Sequence, residues 1–408
     1  MPRVSIVIPC FNHGHYLTDA VSSVLAQVYT DWEAIIVDDG STDNTREIAA
    51  QLTDPRVRYI FQENRGLSGA RNTGIRHSSG RYLNFLDADD ILEPEFVQRC
   101  VSYLADHPTL GGVYTRNSYI DDQGTLLPRA GGEIVSPEAF HIRVLEGGFF
   151  PCHAMLLRRD AVLEAGSFDT ELTSLEDWDL WLRLSRQLRF HGIDACLVRY
   201  RVHPGSMSSN AARMHANRLA VVAKYFGPPD SPVATWSEEK RRAYGFALRG
   251  SARNYIEQQH VDEGWKLLGE AIIYWPRLLE RLDTFYELAL GDQSKGYRGK
   301  ADQVDLDRSG PELFDRLVAL LDSADATVRT LRSSALGTAH LSLAMLNDQA
   351  GNWAEARKHL VRAISFRPRF LSDTRTIRRL LKLCIGKRAV EMLRPREPDD
   401  HLDVRRGG

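Results

Sequence analysis

Three carboxylates follow a short apolar run early in the chain. Residues 81–94 read RYLNFLDADDILEP, and the apolar part of this segment leads into Asp87, Asp89 and Asp90. Carboxylates this close repel one another, and a divalent cation among them would offset that cost. Hard cations such as Mg²⁺ take oxygen ligands and often complete their coordination with substrate phosphates. A solvated acidic turn has the same composition, so the segment alone leaves both interpretations open.

The elements that would position this group alternate along the first part of the chain. Apolar and β-branched runs predict buried strands at residues 4–8, 34–37 and 57–61, and the run before Asp87 predicts a fourth. Segments of helical periodicity lie between the strands. This alternation indicates an α/β domain with a mostly parallel sheet and helices on both faces.

Three polar loops fall at the predicted carboxyl ends of these strands. They contain Asp38-Asp39, the glycine-rich residues 66–72 and the acidic residues 87–90. Because ligands of such sheets bind beyond the carboxyl ends of the strands, we expect the three loops to line one crevice.

Several motifs in this region follow one another in a recognisable order. They are SIVIPCFN, VDDGSTD, NRGLSGARNTG and FLDADD, and the later segments EDWDLWLRL and YRVHPGSMS continue the series. In order and spacing they resemble the family 2 inverting glycosyltransferases, which have the GT-A fold. The resemblance covers roughly residues 3–210. It implies an enzyme that transfers a sugar from a nucleoside diphosphate donor, most often a UDP-sugar, to a hydroxyl of a glycan, lipid-linked or protein acceptor.

The same resemblance implies roles for single residues in a nucleotide pocket. Pro9 and Phe11 would line this pocket, and Asp39 would accept a hydrogen bond from the nucleobase. Arg71 would lie near the base and the diphosphate, and Asp87 would face the ribose or the metal. Without the resemblance, the aspartate pair would be interpreted as an Asx-type turn and the arginine as part of a surface ion pair.

The remaining roles concern the metal and the chemistry. Asp89 would coordinate a divalent cation, Mg²⁺ or Mn²⁺, and His203 would complete the coordination or contact the phosphates. Arg201 is suited to the diphosphate, Asp177 would be the general base, and Glu176 would orient the site. In-line attack on the anomeric carbon would invert that centre in one step, and no covalent nucleophile is required.

The second half of the chain differs in character. Residues 227–235 contain proline and glycine and read as a linker, and the sequence of residues 236–394 predicts an almost wholly helical segment. Five positions recur with an offset of 92 residues: Ala252, Gly264, Leu268, Ala271 and Pro276 match Ala344, Ala356, Leu360, Ala363 and Pro368. These small-residue and proline positions resemble tetratricopeptide units, and a generic helical bundle is the alternative. We expect a GT-A domain at 1–226 followed by an all-α, repeat-like domain that binds a partner protein, mediates self-association or presents the acceptor.

The end of the chain has two further features. Residues 375–394 form a basic amphipathic segment, which would either lie on an anionic membrane or cap the helical domain. Residues 395–408 are charged and proline-containing, and we expect a disordered tail there.

Composition limits the remaining possibilities. The formal net charge of -2 over 408 residues argues against a general nucleic-acid-binding protein. Five scattered cysteines without a C-x-x-C pair indicate free thiols in a reducing compartment. The first apolar run is too short for a signal peptide, and no segment has the ~20 apolar residues of a membrane span. We expect a cytoplasmic protein, with peripheral contact at the inner face of the membrane as a further option.

Two rival functions share part of this pattern. A nucleotidyltransferase would need a lysine- and glycine-rich loop after the first strand, and CFNHGHY contains no lysine and one glycine. A non-catalytic scaffold would have lost the acidic site, yet Asp39, Asp89 and Asp177 are all present. The transferase is therefore the preferred hypothesis.

Overall fold

The computed structural model describes residues 3–293, 295–372 and 376. The chain divides into two compact units. One unit holds the chain up to Leu278 together with Gly291–Lys300, and the other holds Leu279–Leu290 and the chain from Ala301. Apart from residue 376, the predicted basic segment at 375–394 lies outside the described residues, as does the predicted tail at 395–408.

The first unit is built on one sheet. In the described part of the chain its strands are β1 (Val4–Cys10), β2 (Trp32–Asp39), β3 (Val57–Gln62), β4 (Tyr82–Phe85), β5 (Ile91–Leu92), β6 (Leu110–Ile120), β7 (Leu126–Gly131), β8 (Met155–Arg158) and β9 (Arg189–Arg201). They are ordered β3-β2-β1-β4-β8-β6-β9-β5, and β7 pairs with β6. The four strands predicted from the sequence are adjacent and parallel. The predicted α/β domain is thus confirmed.

Beyond β4 the sheet becomes mixed. β8 is antiparallel to both β4 and β6, whereas β6 and β9 are parallel to each other. The short β5 is antiparallel to β9 and lies directly after the acidic loop. The sheet therefore brings the end of β9 next to the loop that follows β4.

Helices connect these strands and make up most of the rest of the chain. In the first unit they are α1 (Gly14–Leu25), α2 (Thr45–Ala50), α3 (Gly66–His77), α4 (Phe96–Asp106), α5 (Phe140–Leu145), α6 (Arg159–Glu164), α7 (Glu176–Ser185), α8 (Ala211–Phe226), α9 (Glu238–Glu257) and α10 (Val261–Tyr274). In the second unit they are α11 (Leu282–Ala289), α12 (Leu306–Ser323), α13 (Ala326–Thr330), α14 (Arg332–Gln349) and α15 (Trp353–Phe366). Among the described residues, none of these helices could span a lipid bilayer.

The predicted internal repeat is confirmed at the level of helix pairs. The pairs α9–α10 and α14–α15 end at positions 92 residues apart, and each continues into a 3₁₀ turn, at Pro276–Glu280 and Pro368–Ser372. The turn between the helices has a left-handed residue at equivalent positions, Gln259 with φ of 65° and Gly351 with φ of 80°. The tetratricopeptide assignment itself stays a prediction.

Small residues let the two helices of each pair approach closely. A Cβ on Gly245 would lie 2.5 Å from Cβ of Trp275, and one on Gly337 would lie 3.0 Å from Cβ of Arg367. These residues again correspond at the same offset. The first pair belongs to the unit that contains the sheet and the second pair to the other unit. The predicted domain boundaries at 226 and 236 stay predictions.

The centre of the sheet is buried and closely packed. Every residue of β1, β2 and β4 is buried. Helix α3 lies against β1 and β2 so closely that a Cβ on Gly74 would come within 2.1 Å of Cγ1 of Val7. A side chain at this position would push α3, which carries part of the candidate site, away from the sheet.

We therefore expect Gly74→Ala to lower the free energy of unfolding of the first unit by about 1–3 kcal/mol, the usual cost of overpacking a core. The measurement is chemical denaturation of the full chain followed by circular dichroism. Gly148→Ala is the matched control, since no heavy atom lies within 4 Å of a Cβ there. Equal stability of the two variants would contradict the close packing of α3 on β1.

Candidate active site

The loops after β1 and β2 are tied to each other by the side chains of their motifs. The backbone N–H of Asn12 donates to Oγ of Ser41 at 2.9 Å, and Oδ1 of Asn12 accepts from the backbone N–H of Thr42 at 2.8 Å. Asp43 accepts from the backbone N–H groups of Gly14 and of residue 45, each at 3.0 Å. These bonds fix the entrance of α1 beside the end of β2. The CFN and GSTD parts of the motifs thus have a structural role.

The predicted nucleotide-pocket residues lie at this edge of the sheet. Pro9 is buried in β1, Phe11 follows it with 48% of its surface exposed, and Asp39 is buried at the end of β2. Oδ1 of Asp39 accepts from Nε2 of Gln62 at 2.6 Å and from the backbone N–H of Arg65 at 2.9 Å. Among the described residues, Oδ2 of Asp39 accepts no hydrogen bond. The predicted contact with a nucleobase stays a prediction.

Arg71 joins the acidic loop to the helix that carries the candidate base. Its Nη2 donates to Oδ1 of Asp87 at 2.6 Å, and its Nη1 donates to Oε1 of Glu176. The Arg71 side chain is only 1% exposed, and its guanidinium lies 5.2 Å from the ring centroid of Phe168. In the structure, the guanidinium of Arg71 therefore donates hydrogen bonds to two carboxylates of the chain itself. The predicted contact of Arg71 with the base and diphosphate stays a prediction.

Asp177 lies in the first turn of α7 and is partly accessible. The residue before the helix, Leu175, has φ of 61°, a left-handed conformation that leucine rarely adopts. The backbone N–H of Trp178 donates to Oδ1 of Asp177 at 2.7 Å. Burial, followed by the charge of Glu176, raises the pKa of Asp177 to about 7, against the effect of Arg71. A carboxylate with a pKa near neutrality is well suited to accept a proton from a hydroxyl.

A second group of polar side chains surrounds Asp89. Nε2 of His203 lies 2.9 Å from Oδ2 of Asp89, and a ring nitrogen of His13 comes close enough that the three candidate ligand atoms lie within 4.8 Å of one another. Burial opposes ionisation of Asp89, but the hydrogen bond from His203 and the charges of both histidines outweigh it and lower the pKa of Asp89. An ionised carboxylate and two imidazoles fit a divalent transition-metal ion such as Mn²⁺ better than Mg²⁺, which prefers oxygen ligands.

Asp90 supports this group from within the protein. It is 2% exposed, and its Oδ1 accepts from the backbone N–H of Arg201 at 2.7 Å while its Oδ2 lies 2.9 Å from Nδ1 of His153. Burial raises the pKa of Asp90 to about 6, although His153 lies beside it. Asp87, Asp90 and His153 are also close enough to share an ion. Asp87 is already bound to Arg71, and Asp90 is bound to the backbone N–H of Arg201 and lies beside His153. The group of His13, Asp89 and His203 is therefore the better candidate for a metal site.

The side chain of Arg201 is likewise hydrogen-bonded to other parts of the chain. Its side chain is 1% exposed, and its Nε donates to the carbonyl of Asp89 at 2.8 Å. Nη1 donates to the carbonyl of Asp122 at 2.9 Å, and Nη2 donates to Oδ2 of Asp19 at 3.0 Å. Arg201 thus ties the end of β9 to the acidic loop. Its predicted contact with the diphosphate stays a prediction.

The structure brings the predicted residues together in two places. One place is the acidic loop with Asp87, Asp89 and His203, and the other is the start of α7 with Asp177; Arg71 connects them. Sequence reasoning missed His13. Its position directly after the first strand was a usable signal, since the loop after β1 lies at the same sheet edge as the loop after β4.

Comparison with known proteins bears on this site. Residues 5–166 match the family model for glycosyl transferase family 2. The putative teichuronic acid biosynthesis glycosyltransferase TuaG of Bacillus subtilis is 31% identical over 215 residues, which is 51% of this chain and 82% of that protein. The chain belongs to glycosyl transferase family 2. The resemblance inferred from the motifs is thus confirmed.

Two further proteins are similar to part of this chain. The enzyme UDP-Glc:alpha-D-GlcNAc-diphosphoundecaprenol beta-1,3-glucosyltransferase WfgD of Escherichia coli is 29% identical, over 51% of this chain and 80% of that protein. The chondroitin synthase of Escherichia coli is 37% identical over 190 residues, which is 45% of this chain and 27% of the synthase. The chain therefore spans about a quarter of the length of that synthase.

We expect Arg71→Met to lower the free energy of unfolding by about 3–5 kcal/mol, because it leaves the buried carboxylate of Glu176 without its partner. Chemical denaturation measures this change. Arg99→Met is the control, since the exposed pair of Arg99 with Glu95, 4.0 Å apart, should contribute ~1 kcal/mol or less. Partial recovery in the double variant with Glu176→Gln is also expected. A loss no larger than that of Arg99→Met would contradict a structural role for Arg71.

We further expect Asp177→Asn to raise the melting temperature at pH 8 and to change it little at pH 4. The pKa of Asp177 is raised from 3.8 to about 7 in the folded chain, so ionisation of this carboxyl costs stability as the pH rises between those values. Asparagine does not ionise and avoids that cost. Asp106→Asn, at the exposed end of α4, is the control for an Asp-to-Asn change outside the site. A uniform effect of Asp177→Asn at both pH values would contradict the raised pKa.

Proposed function

We propose that this protein is a metal-dependent inverting glycosyltransferase that uses a nucleoside diphosphate sugar, specifically a UDP-sugar. One observation carries the proposal: Arg71 connects two parts of the site. It binds Asp87 in the acidic loop, which contributes Asp89 to the His13, Asp89 and His203 group, and it binds Glu176 in the helix that carries Asp177. This reaction requires a cation site for the leaving diphosphate and a carboxylate base for the acceptor hydroxyl, held in a fixed arrangement. Membership of glycosyl transferase family 2 supports the same reaction class.

The donor would bind along the edge formed by β1, β2 and β4. The exposed ring of Phe11 and the unused Oδ2 of Asp39 are available to a nucleobase, and an ionised carboxylate suits a base N–H. The name of the relative WfgD includes a UDP-sugar donor, which supports uridine. With the nucleobase at Phe11 and Asp39, the diphosphate of the donor would extend toward the acidic loop.

The residues around the acidic loop would hold the cation. His13, Asp89 and His203 would supply one ligand atom each. When bound, the cation would provide Lewis-acid stabilisation of the negative charge on the leaving diphosphate. The lowered pKa of Asp89 keeps its carboxylate ionised and ready to coordinate.

Asp177 would accept the proton of the acceptor hydroxyl as its oxygen attacks the anomeric carbon. The pKa of Asp177, raised to about 7, makes it a stronger base than an exposed aspartate. Glu176 would position the turn, because Arg71 binds its carboxylate and leaves that of Asp177 free of ion pairs among the described residues. After the reaction, burial favours the neutral form of Asp177 until the proton is released.

The acceptor would be a sugar hydroxyl of a growing polysaccharide. The names of TuaG, WfgD and the chondroitin synthase, which refer to teichuronic acid, diphosphoundecaprenol and chondroitin, support a glycan acceptor, including a lipid-linked one. A lipid-linked acceptor would place the protein at a membrane surface. The helix pairs would then bind a partner protein or a second copy of the chain.

The test is a thermal-shift panel of UDP, GDP, ADP and CDP with and without Mn²⁺. We expect UDP with Mn²⁺ to stabilise the wild type by ~2.7 kcal/mol at 100 times its dissociation constant. The stabilisation should be weaker in Asp89→Ala and His13→Ala and unchanged in the control His77→Ala, at the exposed end of α3. Asp177→Asn should retain the UDP response but lose transfer by about 10²–10⁴-fold.

One result would contradict the proposal, and a second would correct the role of one residue in it. Absence of any nucleotide response in the wild type would favour a non-catalytic scaffold, with the helix pairs as the working part. A response that His13→Ala leaves intact would remove His13 from the cation site without affecting the rest of the mechanism.

A further inference from the structure

The two aspartates at the end of β2 differ in what their carboxylates bind. Asp38 uses both oxygens within the chain, because Oδ1 accepts from the backbone N–H of Ser41 at 2.8 Å and Oδ2 accepts from the hydroxyl of Tyr59 at 2.5 Å. Within the described ranges, Asp39 accepts hydrogen bonds through Oδ1 alone. Its Oδ2 does not belong to the fully buried polar atoms that lack a partner, so solvent reaches it. Asp39 therefore has one oxygen fixed by the chain and one that a ligand can use.

Strand pairing and a close backbone approach hold Oδ1 of Asp39. In the parallel pair of β2 and β3, Asp39 lies opposite Gln62, whose Nε2 donates to Oδ1 at 2.6 Å. The backbone N–H of Arg65 donates to the same oxygen at 2.9 Å. Gly40 has φ of 81°, and a Cβ there would lie 2.9 Å from the backbone nitrogen of Asn64. Glycine at position 40 thus lets the segment after β3 reach the carboxylate.

The amide of Gln62 is itself held by a threonine of α3. The hydroxyl of Thr73 donates to Oε1 of Gln62 at 2.6 Å, and Nη2 of Arg76 donates to the oxygen of that hydroxyl at 2.6 Å. Thr73 and Arg76 are three residues apart on the helix, a spacing at which side chains meet. Thr73 is buried, whereas Arg76 is exposed. The four side chains thus form one hydrogen-bonded relay, which consists of Arg76, Thr73, Gln62 and Asp39.

The chemistry of its two ends fixes the direction of this relay. A guanidinium has only donors, and an ionised carboxylate has only acceptors. Thr73 therefore accepts from Arg76 and gives its hydroxyl hydrogen to Gln62. The carbonyl oxygen of Gln62 then faces Thr73, and its NH₂ group faces Asp39. The opposite orientation of the amide would place two acceptors against each other at Asp39, so one orientation alone satisfies every step.

An acceptor held in one orientation distinguishes between nucleobases. Proteins read an unpaired base by hydrogen bonds to its Watson–Crick edge. Uracil has an N3–H donor on that edge, whereas cytosine has an acceptor nitrogen at the same place. A base with an acceptor there would leave Oδ2 of Asp39 desolvated and without a partner, which is costly. UDP and CDP share the ribose and the diphosphate, so they differ in this respect at the base alone.

We propose that Gln62, Thr73 and Arg76 are positioning residues that determine the base specificity of the nucleotide donor. They fix Oδ1 of Asp39 and so hold Oδ2 as an acceptor in one orientation, which favours a base with an N–H on its edge over a base with an acceptor nitrogen. This inference rests on the proposed function, because it requires Asp39 to contact the nucleobase. It adds that the specificity depends on three side chains that act through Asp39.

The first test measures the dissociation constants of UDP and CDP for the full chain by isothermal titration calorimetry, with Mn²⁺ present. We expect the wild type to bind UDP about 10–100-fold more tightly than CDP, because CDP leaves a carboxylate oxygen unpaired. Thr73→Val removes the hydroxyl and should weaken UDP binding by about 5–10-fold, the factor that corresponds to one hydrogen bond. The same variant should leave CDP binding unchanged, and Thr73→Ser should restore the wild-type ratio of the two constants.

Thr115→Val is the matched control for this test. Thr115 is also buried in the first unit, and its hydroxyl donates to the carbonyl of Arg116 at 3.1 Å, so the change removes a buried hydroxyl outside the relay. We expect both dissociation constants of this variant to equal those of the wild type. Equal losses of UDP and CDP binding in Thr73→Val would indicate a merely structural role in α3 and would overturn the proposal. Unchanged UDP binding in Thr73→Val would overturn it as well.

The second test compares variants along the relay by the ratio of the CDP and UDP dissociation constants. Gln62→Met removes the group that contacts Asp39 and should lower this ratio most. Arg76→Met should lower it least, because water can replace an exposed donor. Thr73→Val should lie between the two. A wild-type ratio in Gln62→Met, or the reverse order of the three variants, would contradict the role of the relay in specificity.

The wild type separates failure of this inference from failure of the proposed function. If the wild type binds no UDP in the presence of Mn²⁺, the proposed function is wrong. If the wild type binds UDP and CDP equally well, the chain is still a nucleotide-binding transferase, and the specificity assigned to the relay is wrong.

Discussion

The arrangement of this site depends on the two ion pairs of one buried guanidinium. Arg71 binds Asp87 after β4 and Glu176 at the start of α7, and its side chain is almost completely shielded from water. Neither carboxylate could be held beside the other without this charge, because two buried or half-buried anions repel strongly. The pairs therefore join the loop that would hold the cation to the turn that carries Asp177. They also oppose the rise in the pKa of Asp177, so the same arginine adjusts its basicity.

Much of the position of this site can be predicted from local patterns in the sequence. Continuous apolar runs indicate strands buried on both faces, and helices between them require parallel pairing. Parallel strands end at a common edge, so the amino-acid sequence by itself predicts that Asp39 and Asp89 lie near each other. The antiparallel half of the sheet was not predicted, because its strands pair across long intervening segments and carry no local signal of their partners.

Contacts between distant segments explain what sequence reasoning missed. His13 reads as a polar residue in a turn, and only the pairing of β1 with β4 brings it to Asp89. The predicted phosphate contacts of Arg71 and Arg201 stay predictions, but the partners that bury both side chains lie far along the chain and could not be predicted from local sequence. The 92-residue repeat was visible because small residues mark helix contacts, as at Gly264, where a Cβ would lie 2.5 Å from Cγ1 of Ile256. Which unit each helix pair would join was not visible, since similar pairs have similar sequences whatever they pack against.

The path of the chain between the two units has a consequence for how such a protein can be divided. The chain leaves the sheet-containing unit after Leu278, returns for Gly291–Lys300 and then leaves again. No single cleavage point separates the units, because a cut after Leu278 removes the returning loop and a cut after Lys300 retains α11 from the other unit. Gene fusion or domain exchange would have to transfer the interleaved region as a whole. A gene fragment that ends at either of these points would therefore encode one of the two units incompletely.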